Sequence, residues 1–338
     1  MTEDKNQVDQ EYENYLKESL DHIDQIPSYP EAKQTEFVKI GKSMARKTNI
    51  MISLAVLLLI VPIMTLATYL YYGTDSRADR LIEVATNTIY VTEPNMSLKK
   101  LDVEDDIGFF SMNVTFDVFK RVGKEDYKAG DYDIRFLLGQ AEFPKKNLLL
   151  DRPLAENPSK ETGVLFHPDA IMPYSAKDGW DTLDKLPDGT VSEIYVSFNH
   201  LMDPRELEKS LPQNMELRWV AVDTGLEKAQ VDKEGVPITP LGYPVQADPE
   251  TWSPFKDGDN QQAFLDILSQ LKKNEAVAEK VARAKSLSIG SRLDYIKKHE
   301  IKVYGAVITG PTEELRKLHD REDIRAIKMG EVKLWNWE

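Results

Sequence analysis

Hydrophobic and polar positions fall into three regimes along the chain. From Asn49 to Tyr72 the residues read NIMISLAVLLLIVPIMTLATYLYY, with no charge over 24 positions. At about 1.5 Å per residue this helix is roughly 36 Å long, enough to cross a hydrocarbon core of about 30 Å with some tilt. A core helix of a soluble protein keeps a polar face over such a length, and this run has none. It also starts too far into the chain, runs too long and lacks a small-x-small cleavage site for a signal peptide. The pattern predicts a transmembrane helix over 49–72. Pro62 in mid-span removes one backbone hydrogen bond and can kink it.

Ahead of the span, Val8, Tyr12, Tyr15, Leu16, Leu20 and Ile23 recur at helical spacing, while Asp9, Glu11, Glu13, Glu18 and Asp21 fall mostly opposite. Pro27 and Pro30 stop this helix, and Glu31 to Lys47 starts a second one leading into the span. A single short amphipathic helix is marginal in water, so its apolar stripe calls for a partner. The stripe lies in an acidic segment: residues 1–48 hold ten acidic and seven basic side chains. The anionic inner leaflet would repel it, so a protein groove is the better partner.

After the span the pattern turns to short alternating runs. Arg77–Val84 is expected to extend the membrane helix as a short stalk. Strands are expected at Thr88–Val91, Gly108–Phe119, Tyr132–Leu138 and Gly163–Phe166. Val191–Asn199 is a strand, Asp203-Pro204 opens a helix to about Leu211, and Met215–Val222 is a second strand. The C-terminus repeats that plan: strand Lys302–Thr309, helix Thr312–His319, strand Ile324–Leu334. Between the halves, Asp232–Asp257 is rich in Pro and Gly, while Gln261–Lys272 and Ser286–His299 read as helices. The expected fold class is α+β, with two strand–helix–strand halves in a ferredoxin-like sheet, extra strands and a helical insertion. The expected division is a cytoplasmic segment 1–48, the span 49–72, a stalk and β-rich region 73–160, and a C-terminal domain 161–338.

Charge sets the orientation. Lys39, Lys42, Arg46 and Lys47 precede the span, and only Arg77 and Arg80 closely follow it. The positive-inside rule puts the N-terminus in the cytoplasm and the large domain outside the cell. The net charge of −14 disfavours direct binding to nucleic acid. With no cysteine, the chain cannot form disulfides, thiolate zinc sites, iron–sulfur clusters or a cysteine nucleophile.

Candidate chemistry is sparse. His22, His167, His200, His299 and His319 show no metal-ligand spacing, and there is no P-loop, GxGxxG or GxSxG. His167-Pro168-Asp169 places an imidazole near a carboxylate, an arrangement a turn explains better than a catalytic dyad. Asp102, Glu104, Asp105 and Asp106 lack the glycine and terminal glutamate of a calcium loop. Neither a catalytic residue nor a cofactor or metal is expected. Asn95-Met-Ser and Asn113-Val-Thr match the glycosylation triplet; Asn113 falls inside a strand, where the match is chance.

Several stretches carry a family resemblance: Phe166-His167-Pro168, the strand ending Ser197-Phe198-Asn199, Trp219-Val220-Ala221-Val222-Asp223, and Val303–Leu318 (VYGAVITGPTEELRKL) followed by Ile324 to Val332. With the span and the segment before it, the chain resembles membrane-bound anti-sigma factors of Gram-positive bacteria that carry sigma-factor-regulator N- and C-terminal domains. The resemblance implies a cytoplasmic segment that holds an extracytoplasmic-function sigma factor away from RNA polymerase. It also implies an external domain that senses an envelope condition or binds a companion membrane protein. The residues expected to enter the sigma factor are Val8, Tyr12, Tyr15, Leu16, Leu20 and Ile23. The alternative is a membrane-anchored ligand-binding or scaffolding protein with an inert tail.

Overall fold

A computed structural model describes residues 13–20, 30–102, 109–149, 165–172, 175–231, 235, 237–250, 252–256 and 258–337. The chain divides into two units, Met1–Ile63 and Met64–Glu338. In the first, residues 13–20 form helix α1. Helix α2 (Glu31–Gly73) begins there, runs unbroken through Pro62 and ends within the second unit. Its apolar side chains from Ile50 to Ile63 lie exposed, as they must on a helix whose solvent is lipid. The helix is long and apolar enough to cross a membrane.

The second unit is built around helix α3 (Arg77–Thr92), which corrects two expectations. There is no short stalk over Arg77–Val84 and no strand over Thr88–Val91; both belong to this one 16-residue helix. Its β-branched end reads as strand by local propensity, but every residue from Val84 to Thr92 is buried. Tertiary burial overrides propensity here. Two of its buried threonines satisfy themselves locally: Thr88 donates to Val84 O at 2.7 Å and Thr92 to Thr88 O at 2.6 Å.

The first sheet is an antiparallel meander of β1 (Met96–Asp102), β2 (Ser111–Val122), β3 (Glu125–Leu137) and β4 (Gln140–Ala141), with β5 (Lys145–Leu148) also on β3. Alternation in β2 buries Met112, Val114, Phe116 and Val118. Phe110, grouped with them in the sequence, sits instead in a turn at φ 54°. Strand β3 begins at Glu125, well ahead of the expected Tyr132. Its polar start is held by pairing with β2, from Val122↔Glu125 to Ser111↔Leu137. The hairpin to β4 turns on Leu138 and Gly139, with φ of 50° and 75°. A leucine in the left-handed region costs about 1–2 kcal/mol.

Helix α4 (Ala176–Asp184) leads to the second sheet: β6 (Thr190–Met202), α5 (Pro204–Ser210), β7 (Glu216–Val222), β8 (Gly242–Pro244), α6 (Asn260–Leu271), α7 (Glu275–Val281), α8 (Ile289–Lys298), β9 (Val303–Pro311), α9 (Thr312–Arg316) and β10 (Ile324–Leu334). The order across the sheet is β10-β6-β9-β7-β8, all neighbours antiparallel. Asp203 caps α5, accepting from Arg205 N at 2.9 Å. The strand expected at Gly163–Phe166 is absent where described: Leu165 and Phe166 are irregular, and 163–164 lie outside the described residues. Phe166 N bonds Ser197 Oγ at 3.0 Å instead of joining a ladder. Helix α7 leaves no signal in the sequence, because its seven residues give too few turns for a periodic pattern.

Candidate functional site

Three places among the described residues stand out: a helix with an exposed apolar stripe, a joint between helix and sheet, and a buried ion pair. The first is helix α1. Val8, Tyr12 and Ile23 lie outside the described residues. Tyr15, Leu16 and Leu20 lie on α1, 70%, 45% and 57% exposed. At about 100° per residue they fall within roughly 140° of one another, a single apolar stripe. It does not fold back on its own helix: the side-chain bond within α1 is Ser19 Oγ to Tyr15 O at 2.7 Å, a backbone contact.

The second is the joint between the end of α2 and the first sheet. Thr68 is fully buried, and its Oγ1 accepts from Phe110 N at 2.9 Å. One turn on, the Tyr72 hydroxyl donates to Phe110 O at 2.9 Å and to Phe136 O at 3.0 Å. Tyr71 packs edge-on against Phe110, and Arg77 stacks on Tyr71 while donating to its carbonyl at 2.9 Å. Backbone groups of the turn at Phe110 and of the end of β3 thus grip one helical turn, which ties the helix end to the first sheet. Periodicity shows none of this, because both tyrosines read simply as interfacial aromatics.

The third joins the two sheets. Lys120 of β2 and Glu193 of β6 are both buried, with Nζ 2.9 Å from each carboxylate oxygen. Lys120 also donates to the Tyr195 hydroxyl at 2.6 Å. Glu193 further accepts from Asn95 Nδ2 at 2.8 Å and from Glu331 N at 3.1 Å. Burial alone would lower the Lys120 pKa; the Glu193 carboxylate, then Tyr195, more than offset it and hold the ammonium above its ordinary value. Asn95 is turned inward in this cluster, so its glycosylation triplet is closed to modification. At the β2–β3 turn, Gly123 N donates to Thr309 Oγ1 at 2.7 Å and Asn336 donates to Val122 O at 2.9 Å, closing the same junction.

The stretches that carried the family resemblance meet on one face of the second sheet. His167 packs on Tyr304, its Nε2 3.8 Å from Asp223 Oδ1. Arg325 donates to the carbonyls of His167, Pro168 and Ala170, fixing that loop. Nearby, Arg292 and Glu227 form a second buried pair at 2.5 Å. Thr224 bridges it, accepting from Arg292 Nε at 2.7 Å and donating to Glu227 at 2.6 Å. The Asp169 carboxylate turns away to Lys228 at 2.9 Å, while its N–H donates to His167 Nδ1 at 3.2 Å. The sequence neighbours His167 and Asp169 are therefore a turn, and these stretches are devices for holding a loop to a sheet.

A cleft of about 330 Å³ lies between the sheets, lined by Lys99, Arg121, Arg218, Asp126, Glu216 and Asp248 among others. Its charges face one another: Lys99 meets Asp126 at 2.6 Å, and Glu216 lies 3.5 Å from Arg121 and 3.6 Å from Arg218. Burial lowers the Arg218 pKa, partly offset by Glu216. Among the described residues no group of three or more His, Asp or Glu is placed to hold a metal ion.

Residues 35–127 match the model of the sigma factor regulator N-terminal family, and residues 183–331 match the sigma factor regulator C-terminal family. The chain is similar to the probable anti-sigma-M factor YhdL of Bacillus subtilis (strain 168), 30% identical over 315 residues, which cover 90% of this chain and 84% of the relative. No solved structure matches the chain.

Proposed function

The chain belongs to the sigma factor regulator family and is a membrane-bound anti-sigma factor by that membership, and we propose that it holds an extracytoplasmic-function sigma factor and releases it on an envelope signal. The observation that carries this reading is the likeness to an anti-sigma factor over 90% of the chain, together with the unburied stripe on α1. Val8, Tyr12, Tyr15, Leu16, Leu20 and Ile23 enter an apolar groove of the sigma factor and deny that surface to polymerase. Acidic residues on the other helix face suit a basic rim around such a groove.

The N-terminus lies in the cytoplasm and the domain from Gly73 onward lies outside, with α2 as the one span. The basic residues Lys39, Lys42, Arg46 and Lys47 support that direction. In the second sheet, β6, β7, β9 and β10 serve as the four strands of a ferredoxin-like arrangement, with the helical insertion between its halves; the interleaved order supports this reading. A companion membrane protein or an envelope ligand acts on this domain, and the grip on Thr68 and Tyr72 gives a displacement there a stiff route to the helix.

Affinity purification of the full chain from membranes, with identification of bound proteins, tests the assignment. A sigma factor is expected with the parent chain, and Tyr12→Asp with Leu16→Asp is expected to abolish its retention and raise its regulon constitutively. Retention of no sigma factor by the parent, with every sigma regulon unchanged on gene deletion, removes the reading in favour of an anchored ligand-binding or scaffolding protein.

A further inference from the structure

Two loops at the end of α2 expose apolar side chains at a level the helix itself defines. Phe109 is 54% exposed and Leu138 56%, with Leu137 partly exposed beside it. Leu138 occupies the first position of a two-residue hairpin turn at positive φ, a place that favours Asn, Asp or Gly. The turn thus accepts a backbone cost while presenting a leucine outward. Leu138 N donates to Phe110 O at 2.9 Å, tying the two loops together.

Their height along α2 follows from the joint already described. Phe110 N is bound to Thr68, and the carbonyls of Phe110 and Phe136 to Tyr72. A Cβ placed on Gly139 would lie 3.2 Å from the Tyr71 hydroxyl, so that turn also meets the helix end. About 20 helical residues cross the hydrocarbon core, so a span entering at Asn49 leaves it near Thr68. The first charged residues beyond are Asp75 and Arg77. Thr68 to Tyr72 therefore stands at the boundary between hydrocarbon and headgroups. Phe109, Leu137 and Leu138 stand there too, at the level of the exposed Leu66, Tyr69 and Leu70 of the helix.

We propose that Phe109, Leu137 and Leu138 insert into the interface of the leaflet facing the domain, so that the bilayer holds the domain at a second place beside the span. The attraction is apolar. The sequence just ahead of Phe109 carries Asp102, Glu104, Asp105 and Asp106, which anionic headgroups would repel. Docking is thus expected on zwitterionic lipid and to be insensitive to salt. The proposal rests on α2 being the membrane span.

The chain has no cysteine, so a single introduced one takes a nitroxide label without background. The full chain is reconstituted in phosphatidylcholine nanodiscs with a label at Phe109→Cys, Leu138→Cys, Leu57→Cys or Leu149→Cys. Leu57 reports the middle of α2, and Leu149, whose N–H bonds Ala129 O, the far part of β3. Collision with oxygen and with a water-soluble nickel chelate is then compared. Labels at 109 and 138 are expected to favour oxygen at least threefold over their ratio at 149, in low and high salt alike. If 57 favours oxygen while 109 and 138 match 149, the loops stand in water and the proposal fails alone. If 57 also matches 149, the span reading fails with it. Labels at 109 and 138 shielded from both reagents mean that protein covers the loops, which overturns lipid insertion.

Discussion

The Lys120 ammonium lies 2.9 Å from both carboxylate oxygens of Glu193, and neither side chain reaches solvent. The two residues come from different sheets, so this contact helps to fix how β2 lies against β6, together with Gly123–Thr309 and Asn336–Val122. A buried pair is weak evidence for net stability, because desolvation offsets much of the attraction. Removing one partner is another matter. Lys120→Met leaves a buried, unpaired carboxylate and is expected to destabilise the domain by about 3–5 kcal/mol. Adding Glu193→Gln is expected to recover part of that loss. Denaturant midpoints of the two variants in detergent micelles check this; equal midpoints for single and double variants would show the pair to be uncoupled.

The same pair has a pH signature. The folded Lys120 pKa is raised above its ordinary 10.5. Its contribution is therefore fully present below about 10.5 and is lost as pH rises through the folded value. The stability difference between the parent and Lys120→Met is expected to stay flat from about pH 7 to 9 and to shrink at more alkaline pH. Unfolding curves across that range provide the measurement, and a difference that grows with alkalinity contradicts the assignment.

At the helix–domain joint, Thr68→Val takes the acceptor from the Phe110 N–H, at an expected cost of about 1–3 kcal/mol. Tyr72→Phe removes a donor from two carbonyls, one of which, Phe110 O, still accepts from Leu138 N. A smaller loss of about 1 kcal/mol is expected there. Hydrogen exchange of the peptide containing Phe110 should quicken in both, more in Thr68→Val.

Helix α4 lies against β10 through a glycine. A Cβ on Gly179 would sit 2.0 Å from Ile327 O, a strand carbonyl that cannot step aside. Gly179→Ala is expected to cost about 1–3 kcal/mol by forcing the helix off the strand. Gly189→Ala, where a Cβ meets nothing within 4 Å, serves as the control and should leave the unfolding midpoint in place.

In the segment ahead of the span, Leu20→Asp is expected to leave the unfolding of the large domain unchanged while weakening sigma-factor retention at least tenfold. Binding of the purified sigma factor to the full chain in nanodiscs reads the two effects separately. Undiminished binding would take Leu20 out of the interface.

What the sequence by itself determined is whatever depends on neighbours along the chain. The apolar run of α2, the Asp203 cap with Pro204 behind it, and the bounds of Ile324–Leu334 follow from charge, capping and alternation within a few residues. The stripe through Tyr15, Leu16 and Leu20 was legible for the same reason. Tertiary structure decided the rest. The end of α3 reads as strand until its burial against the helices and sheets around it is known, because β-branched residues lose their strand preference once packing outweighs propensity. Lys120 and Glu193 are 73 positions apart, and Tyr72 and Phe136 are 64 apart. Nothing local distinguishes a lysine that will be buried and paired from one on a solvated strand face. Only the approach of the two sheets, and of the helix end to its loops, selects these residues from their many equivalents in the sequence.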